Sequence, residues 1–356
     1  RRVLFRSYKM KNLGKYNMAK RTKIGIMGFG RIGREFFRMA YNNPDLDIAA
    51  IVDIGNPEIL NYLQDVEGLD SQEVRLEGNY LVSPYSKSRM FIAKNPSDIP
   101  WDVFEVDYVI DCTHKFCSRH EMEDHLKSGA SRVIISSLPR DSIDRIVIMG
   151  ANEESISLDD RLISAGSSTT NALVLALKLI NEEEEIAAAM LTSVHAFTSD
   201  QPLQNVAGRD FRRSRSAAEN IIPNITPTSA WIDEILPELS GKVDGIALNV
   251  PVSKGSMLDL TLKMKKKSIS LDDIHKIFEN ASKSTSNLVE YNMDPIVSSD
   301  VIGNTHSLVY DSQATQKTEF DMVKILCWYD NGICQAARVL DVLTSYISLE
   351  NSGGAK

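Results

Sequence analysis

Residues 22–34 read Thr22-Lys-Ile-Gly-Ile-Met-Gly-Phe-Gly-Arg-Ile-Gly-Arg34. The apolar run Lys23–Met27 predicts a buried strand. Gly28, Gly30 and Gly33 then fall at GxGxxG spacing, opening a helix from Arg34 to about Asn42. Asp47–Asp53 is a second apolar run, which completes a strand–turn–helix–strand unit. The alternation continues through a strand at Asp107–Cys112, a helix near His120–Lys127 and a strand at Arg132–Ser136. This pattern predicts an α/β fold with a parallel, doubly wound sheet of Rossmann type. Small residues at the turn let the backbone approach a pyrophosphate, and a helix N-terminus offers N–H groups and a positive dipole end. Asp53 stands twenty positions beyond Gly33. An acid there accepts the ribose hydroxyls of NAD and repels the 2′-phosphate of NADP. The motif in this context implies NAD as cofactor; the bland alternative is a glycine-rich turn on an empty α/β domain.

The pattern changes after Ser168. A buried helix is expected over about Thr169–Ile180, ending near the solvated Glu182–Glu185 run. Strand-like segments then dominate: Ala187–Thr198, Gly245–Val252, Met257–Lys263 and Asp321–Trp328, with a helix at Ser270–Ser282. This half reads as an α+β domain with a mixed, largely antiparallel sheet. The amphipathic segment Gln335–Ile347 is expected to pack back on the first domain.

At 356 residues the chain is long enough for two such domains. Its net charge of −8 argues against a general nucleic-acid binder, and no apolar stretch is long enough to span a bilayer. Cys112, Cys117, Cys327 and Cys334 lack the paired spacing of a zinc site, so no metal is expected. They read as reduced, buried thiols of a cytoplasmic protein. Residues 1–17 carry six basic and no acidic side chains, and Met18 precedes the first strand. That stretch reads as a non-native or disordered leader, with a transit peptide as the alternative. The expected organisation is leader 1–17, dinucleotide-binding domain 18–167, second domain 168–332 and closing helix 333–350.

Several segments together resemble the glyceraldehyde-3-phosphate dehydrogenase family of phosphorylating enzymes. They are Gly28-Phe-Gly-Arg-Ile-Gly-Arg34, Ile99-Pro-Trp101, Arg132-Val-Ile-Ile-Ser136, Ser164-Ala-Gly-Ser-Ser-Thr-Thr-Asn171, Ser193-Val-His-Ala-Phe-Thr198, Asn220-Ile-Ile-Pro223, Leu236-Pro-Glu-Leu239, Val297-Ser-Ser-Asp300 and Trp328-Tyr-Asp-Asn331. The resemblance runs in register from Lys23 to Ser348. It implies that Phe29, Arg31, Ile32, Thr113, Ser136 and Asn331 join the three glycines and Asp53 at the cofactor, Asn331 at the nicotinamide amide. It implies a homotetramer with a loop at about Gln201–Ile222 reaching a neighbouring subunit. It also implies a small phosphorylated aldehyde and inorganic phosphate as substrates, with His195 as the base beside the nucleophile. Thr198 and Asp200 match the family's substrate-phosphate loop, and Ser167, Thr169, Arg212 and Thr226 its inorganic-phosphate site. Arg209, Arg213 and Arg215 extend the basic cluster around Arg212.

The departures concern chemistry. Where the family places a catalytic Cys, this chain has Ser168. A hydroxyl is a weak nucleophile that needs a strong base, and a helix dipole worth ~0.3–1 kcal/mol does not close the gap to a thiol. Ser168 could simply cap the helix that follows it. Asn249 occupies the place of a phosphate-holding Arg, Thr226-Pro227 replaces Thr-Gly, Cys112-Thr-His114 replaces Ser-Thr-Gly, and Gln335 replaces an aromatic. Three readings follow. The chain is an NAD-dependent phosphorylating aldehyde dehydrogenase with weak or no turnover, a catalytically inactive NAD-binding regulatory or heterotetramer-partner protein, or an acyl-transfer protein built on a Ser168–His195 dyad.

Overall fold

The computed structural model describes residues 21–66, 73–198, 201–208, 210–266 and 269–353. The leader reading for residues 1–17, Asp200 and Arg209 lie outside the described residues. The first sheet is built from β1 (Thr22–Met27), β2 (Leu46–Asp53), β3 (Arg75–Glu77), β4 (Tyr80–Val82), β5 (Lys87–Ile92), β6 (Tyr108–Asp111), β7 (Arg132–Ile135), β8 (Arg145–Ile146) and β9 (Leu162–Ser164). Its helices are α1 (Arg31–Ala40), α2 (Pro57–Val66) and α3 (Arg119–Lys127). The strand order is β3-β4-β5-β2-β1-β6-β7-β9-β8. All pairings from β5 through β8 are parallel, and β3 and β4 form an antiparallel edge. β1 lies between β2 and β6, so the order reverses there. A crevice opens at such a switch point beyond the carboxyl ends of the strands.

The second half opens with α4 (Ser168–Glu183) and continues through β10 (Ile186–Ala196), β11 (Ile222–Ile225), α5 (Thr228–Ile235), β12 (Val243–Val250), β13 (Ser256–Met264), α6 (Leu271–Ser284), β14 (Val289–Asn292), β15 (Leu308–Asp311), β16 (Gln316–Lys317), β17 (Met322–Tyr329) and α7 (Ile333–Gly353). The sheet order is β11-β12-β10-β13-β17-β15-β14. Two of its pairings are parallel, β10–β12 and β14–β15; the rest are antiparallel. The mixed sheet expected from sequence is therefore present.

Local chemistry explains the elements that frame the crevice. Gly28 has φ +87°, and a Cβ on Gly33 would lie 2.1 Å from the Gly28 carbonyl oxygen, so neither position admits another residue without rebuilding the turn. Helix α1 begins at Arg31, three residues before the sequence-based boundary, because Gly30 already serves as its N-cap. Helix α4 is apolar on nearly every face, with Leu173, Val174, Leu175, Leu177 and Ile180 all buried. Each such side chain contributes about 1.5–3 kcal/mol on burial. Helix α7 is longer than the Gln335–Ile347 expectation. It sets Val339, Val342, Leu343 and Tyr346 into the same core as Ile24, Phe36 and Phe37 of β1 and α1.

Candidate functional site

The loop from β1 to α1 is held closed by Asp53 at the end of β2. Its carboxylate accepts hydrogen bonds from the Phe29 N–H at 2.7 Å and the Gly55 N–H at 2.8 Å. A Cβ on Gly30 would meet no atom within 4 Å, and no side chain caps α1. The first turn of α1 therefore presents its N–H groups to open space, a cradle suited to a pyrophosphate. The aliphatic stem of Arg31 packs close to Gly332, which brings it beside Asn331. The Asn331 Oδ1 atom is buried without a hydrogen-bond partner. Ser136 Oγ is likewise buried without a hydrogen bond of ordinary geometry, next to the Cys112 thiol. Such unsatisfied atoms cost free energy unless a ligand completes them. Phe29 and Ile32 contribute differently from the expectation. The Phe29 ring is fully buried against Phe37, so only its main chain borders the loop, whereas Ile32 packs on the same core and stays partly exposed.

Thr113 closes the other side of the turn. Its N–H and Oγ both donate to Asp111 Oδ1, at 2.7 and 2.6 Å. Asp111 Oδ2 is 3.2 Å from His125 Nε2, and His125 Nδ1 accepts from the Trp101 indole at 3.0 Å. Since Nδ1 accepts, Nε2 carries the proton given to Asp111. No motif in the sequence signals a role for His125. Trp101, Asp111 and His125 come from three separate segments that the fold brings together.

The second group of candidates gathers at the N-terminus of α4. The cap is Ser167, which accepts from the Thr170 N–H at 3.2 Å and meets Thr170 Oγ1 at 2.7 Å. This corrects the capping reading of Ser168. Ser168 is the first helical residue, nearly buried, and its hydroxyl makes no hydrogen bond among the described residues. His195 on β10 does not reach it. His195 Nε2 instead pairs with Thr169 Oγ1 at 2.8 Å, and Thr169 Oγ1 also meets the Tyr329 hydroxyl at 2.9 Å. The Tyr329 hydroxyl continues to Ser193 Oγ at 3.2 Å. Thr169 Oγ1 thus already has two partners within the protein. Burial pushes the His195 imidazole down from 6.5 to about 4.

That shift carries a pH dependence. The folded pKa lies below the unfolded one, so the unfolded chain binds more protons between pH 6.5 and 4, and stability falls as pH drops through that window. His195→Asn is expected to lose less stability than wild type between pH 7 and pH 4.5, read by urea denaturation at each pH.

The remaining positions are dispersed. Thr226 is buried and accepts weakly from the Thr228 N–H at 3.4 Å. Pro227 is the N-cap of α5. Thr198, just past β10, donates its N–H to the Gln201 side chain at 3.1 Å. Arg212 is exposed on the loop between β10 and β11, its N–H held by Asp210 at 2.9 Å. Asn249 on β12 stands in register beside His195 and accepts from the Asn224 side chain. Gln335 fills the position expected for an aromatic. Its amide donates to the carbonyls of Gly166 and Ser136, at 2.8 and 3.1 Å, and accepts from Asn171 at 3.3 Å. It thereby ties α7 to the loop before α4, a role that type and spacing did not signal. No cysteine can replace the missing thiolate. Burial pushes Cys112 and Cys334 up to about 12, and raises Cys117 and Cys327 as well. Among the described residues no cluster could hold a metal ion, and no helix is long and apolar enough to cross a membrane.

A parallel sheet with a glycine cradle at its switch point, joined to a mixed sheet that carries a helix N-terminus and an imidazole, defines an NAD-binding dehydrogenase-type chain. Residues 22–119 match the NAD binding domain of glyceraldehyde 3-phosphate dehydrogenase, and residues 167–331 match its C-terminal domain. The chain is 35% identical to glyceraldehyde-3-phosphate dehydrogenase 1 of Bacillus subtilis (strain 168), over 92% of this chain and 98% of the relative. It is 35% identical to glyceraldehyde-3-phosphate dehydrogenase of Borreliella burgdorferi over 90% of this chain and 98% of the relative. The chain belongs to the glyceraldehyde-3-phosphate dehydrogenase family.

Proposed function

We propose that this family member binds NAD in the crevice beyond β1 and β6 and has little or no phosphorylating aldehyde dehydrogenase activity. The observation that carries the reading is the pairing of His195 Nε2 with Thr169 Oγ1 beside a serine that has no activating partner. In the family reaction the nucleophile adds to the aldehyde carbon, its proton passes to the imidazole, and hydride leaves that carbon. Bound NAD supplies the hydride acceptor. Phosphate then displaces the acyl group. A Ser168 alkoxide would need a strong base, and an imidazole depressed to about 4 is a poor proton acceptor. The product would be an oxygen ester, less readily opened by phosphate than a thioester.

On this reading Gly28, Gly30, Gly33 and the first turn of α1 take the pyrophosphate, Asp53 the adenosine ribose, and Asn331, Ser136 and Thr113 the nicotinamide side. Gly30→Val is expected to weaken NAD binding by about tenfold, since a branched side chain would fill the space the pyrophosphate needs. Thermal stability should stay near wild type, because that space is empty of protein atoms. Calorimetry and melting on the same samples separate the two effects.

Self-association as a homotetramer is part of the proposal. Met190, Ile225 and Ile246 are exposed on one face of the second sheet, and Phe211 projects from the basic loop. Apolar surface of this kind marks an interface. A catalytically inactive partner in a mixed tetramer remains the second reading, favoured by the same replaced nucleophile. The deciding experiment measures NAD binding by calorimetry and NADH formation with NAD, phosphate and glyceraldehyde 3-phosphate. NAD binding with turnover no greater than that of Ser168→Ala supports the proposal. Turnover well above that control overturns it.

A further inference from the structure

We infer that the face of the second sheet that carries His195, Asn249 and Asn224 selects an uncharged, hydroxyl-bearing ligand, such as a short hydroxyaldehyde, over its phosphate ester, and that Asn249 and Asn224 set this preference. The inference rests on the proposed function, with an aldehyde taken up beside Ser168 and His195. The geometry begins with register. His195 of β10 and Asn249 of β12 are paired on neighbouring parallel strands, so their side chains stand on the same face of the sheet. Ile222 of β11 pairs with Asn249 from the other side. Asn224, two residues further along β11, returns to that face. Its amide nitrogen donates to Asn249 Oδ1, which joins the two carboxamides.

Both carboxamides are half-buried rather than sealed in the core. One hydrogen bond uses one donor and one acceptor. The Asn224 amide also donates to the Ile222 carbonyl at 3.4 Å, while the Asn249 N–H groups and the Asn224 carbonyl oxygen make no hydrogen bond among the described residues and leave a donor and an acceptor for a ligand. A hydroxyl both donates and accepts, so it satisfies such a pair. A phosphate ester is acceptor-only when ionised, and it leaves the Asn224 oxygen facing like charge. The surroundings point the same way. Burial alone lowers the His195 imidazole, with no charged group among the described residues contributing. A dianion drawn into that environment loses hydration without a cation to replace it. An arginine fork would supply the missing charge, and a carboxamide does not. A site built to hydrogen-bond a neutral group discriminates strongly against a ligand that leaves its polar groups mismatched.

The test titrates the NAD-loaded full chain with D-glyceraldehyde and, separately, with D-glyceraldehyde 3-phosphate, followed by ligand-observed NMR. A preceding NAD titration on the same sample shows that the cofactor site is intact, so failure there counts against the functional reading and not against this preference. Glyceraldehyde is expected to bind more tightly than its phosphate. Asn249→Arg should shift the ratio of the two affinities toward the phosphate by about tenfold or more. Asn249→Leu, which keeps the side-chain volume but removes its hydrogen bonds, should weaken glyceraldehyde several-fold, and it serves if the arginine variant does not fold. Binding of the phosphate as tight as or tighter than glyceraldehyde by the wild-type chain overturns the inference, as does the absence of binding by either compound.

Discussion

Ser168→Cys is expected to raise NADH formation from NAD, phosphate and an aldehyde by at least about 10²-fold over wild type. The substitution exchanges one atom at the first position of α4, where the hydroxyl makes no hydrogen bond among the described residues and nothing must be broken to accommodate sulfur. The gain comes from three sources. A thiol near pKa ~8.5 has a few per cent of its population as thiolate at neutral pH, whereas an alcohol has essentially none. The N-terminus of a long, buried helix favours that anion. The resulting thioester is a better acyl donor to phosphate than an oxygen ester. The gain should still fall short of a fully assembled site, because His195 is turned to Thr169 and its imidazole is depressed to about 4. Thr169→Val, which frees His195 Nε2, should add to the effect in the Cys background. Assaying glyceraldehyde beside its phosphate keeps nucleophile chemistry apart from ligand preference. A Ser168→Cys protein that binds NAD and shows no more turnover than Ser168→Ala would place the defect in the imidazole and the pocket wall instead.

What the sequence disclosed is what short-range constraints determine. The β1–α1–β2 unit was readable because Gly28 and Gly33 have no steric alternative in that turn. The mixed second sheet was readable because its long strands bury apolar residues at every second position, as in β13 and β17. Positions that depend on which of two equivalent residues is used were not readable. Ser167 and Ser168 can both cap a helix, and the exit of the chain from β9 decides for Ser167. The sequence places His195 near α4, but the selection of Thr169 over Ser168 as its partner is a matter of side-chain direction. Helix α2 and the short edge strands β3 and β4 lack a distinctive run and went unread. The Trp101–His125–Asp111 chain spans segments with no common pattern.

That chain carries the largest stability effect. Asp111→Ala is expected to destabilise the protein by about 3 kcal/mol or more and to weaken NAD binding with it. Asp111 and His125 are almost completely shielded from water, at 2% and 0% side-chain exposure, so nothing outside the protein can replace the lost bonds. Removing the carboxylate strands the His125 Nε2 proton and the Thr113 N–H and hydroxyl together. The damage reaches the cofactor loop because Thr113 packs against the Gly28 turn, where an added Cβ would meet it at 2.9 Å. Asp111→Asn should fall between the two proteins. Its carboxamide preserves volume and one acceptor, yet it turns an N–H toward a donor, either His125 or Thr113. Trp101→Phe should cost less, since it keeps a ring over Gly25 and leaves only His125 Nδ1 without its donor. Urea denaturation of the four proteins beside NAD titrations orders them. If Asp111→Ala matches wild type in stability, the buried carboxylate does not hold this loop. If stability falls while the affinity of the folded fraction for NAD is unchanged, Asp111 supports the sheet but does not position Thr113 for the cofactor.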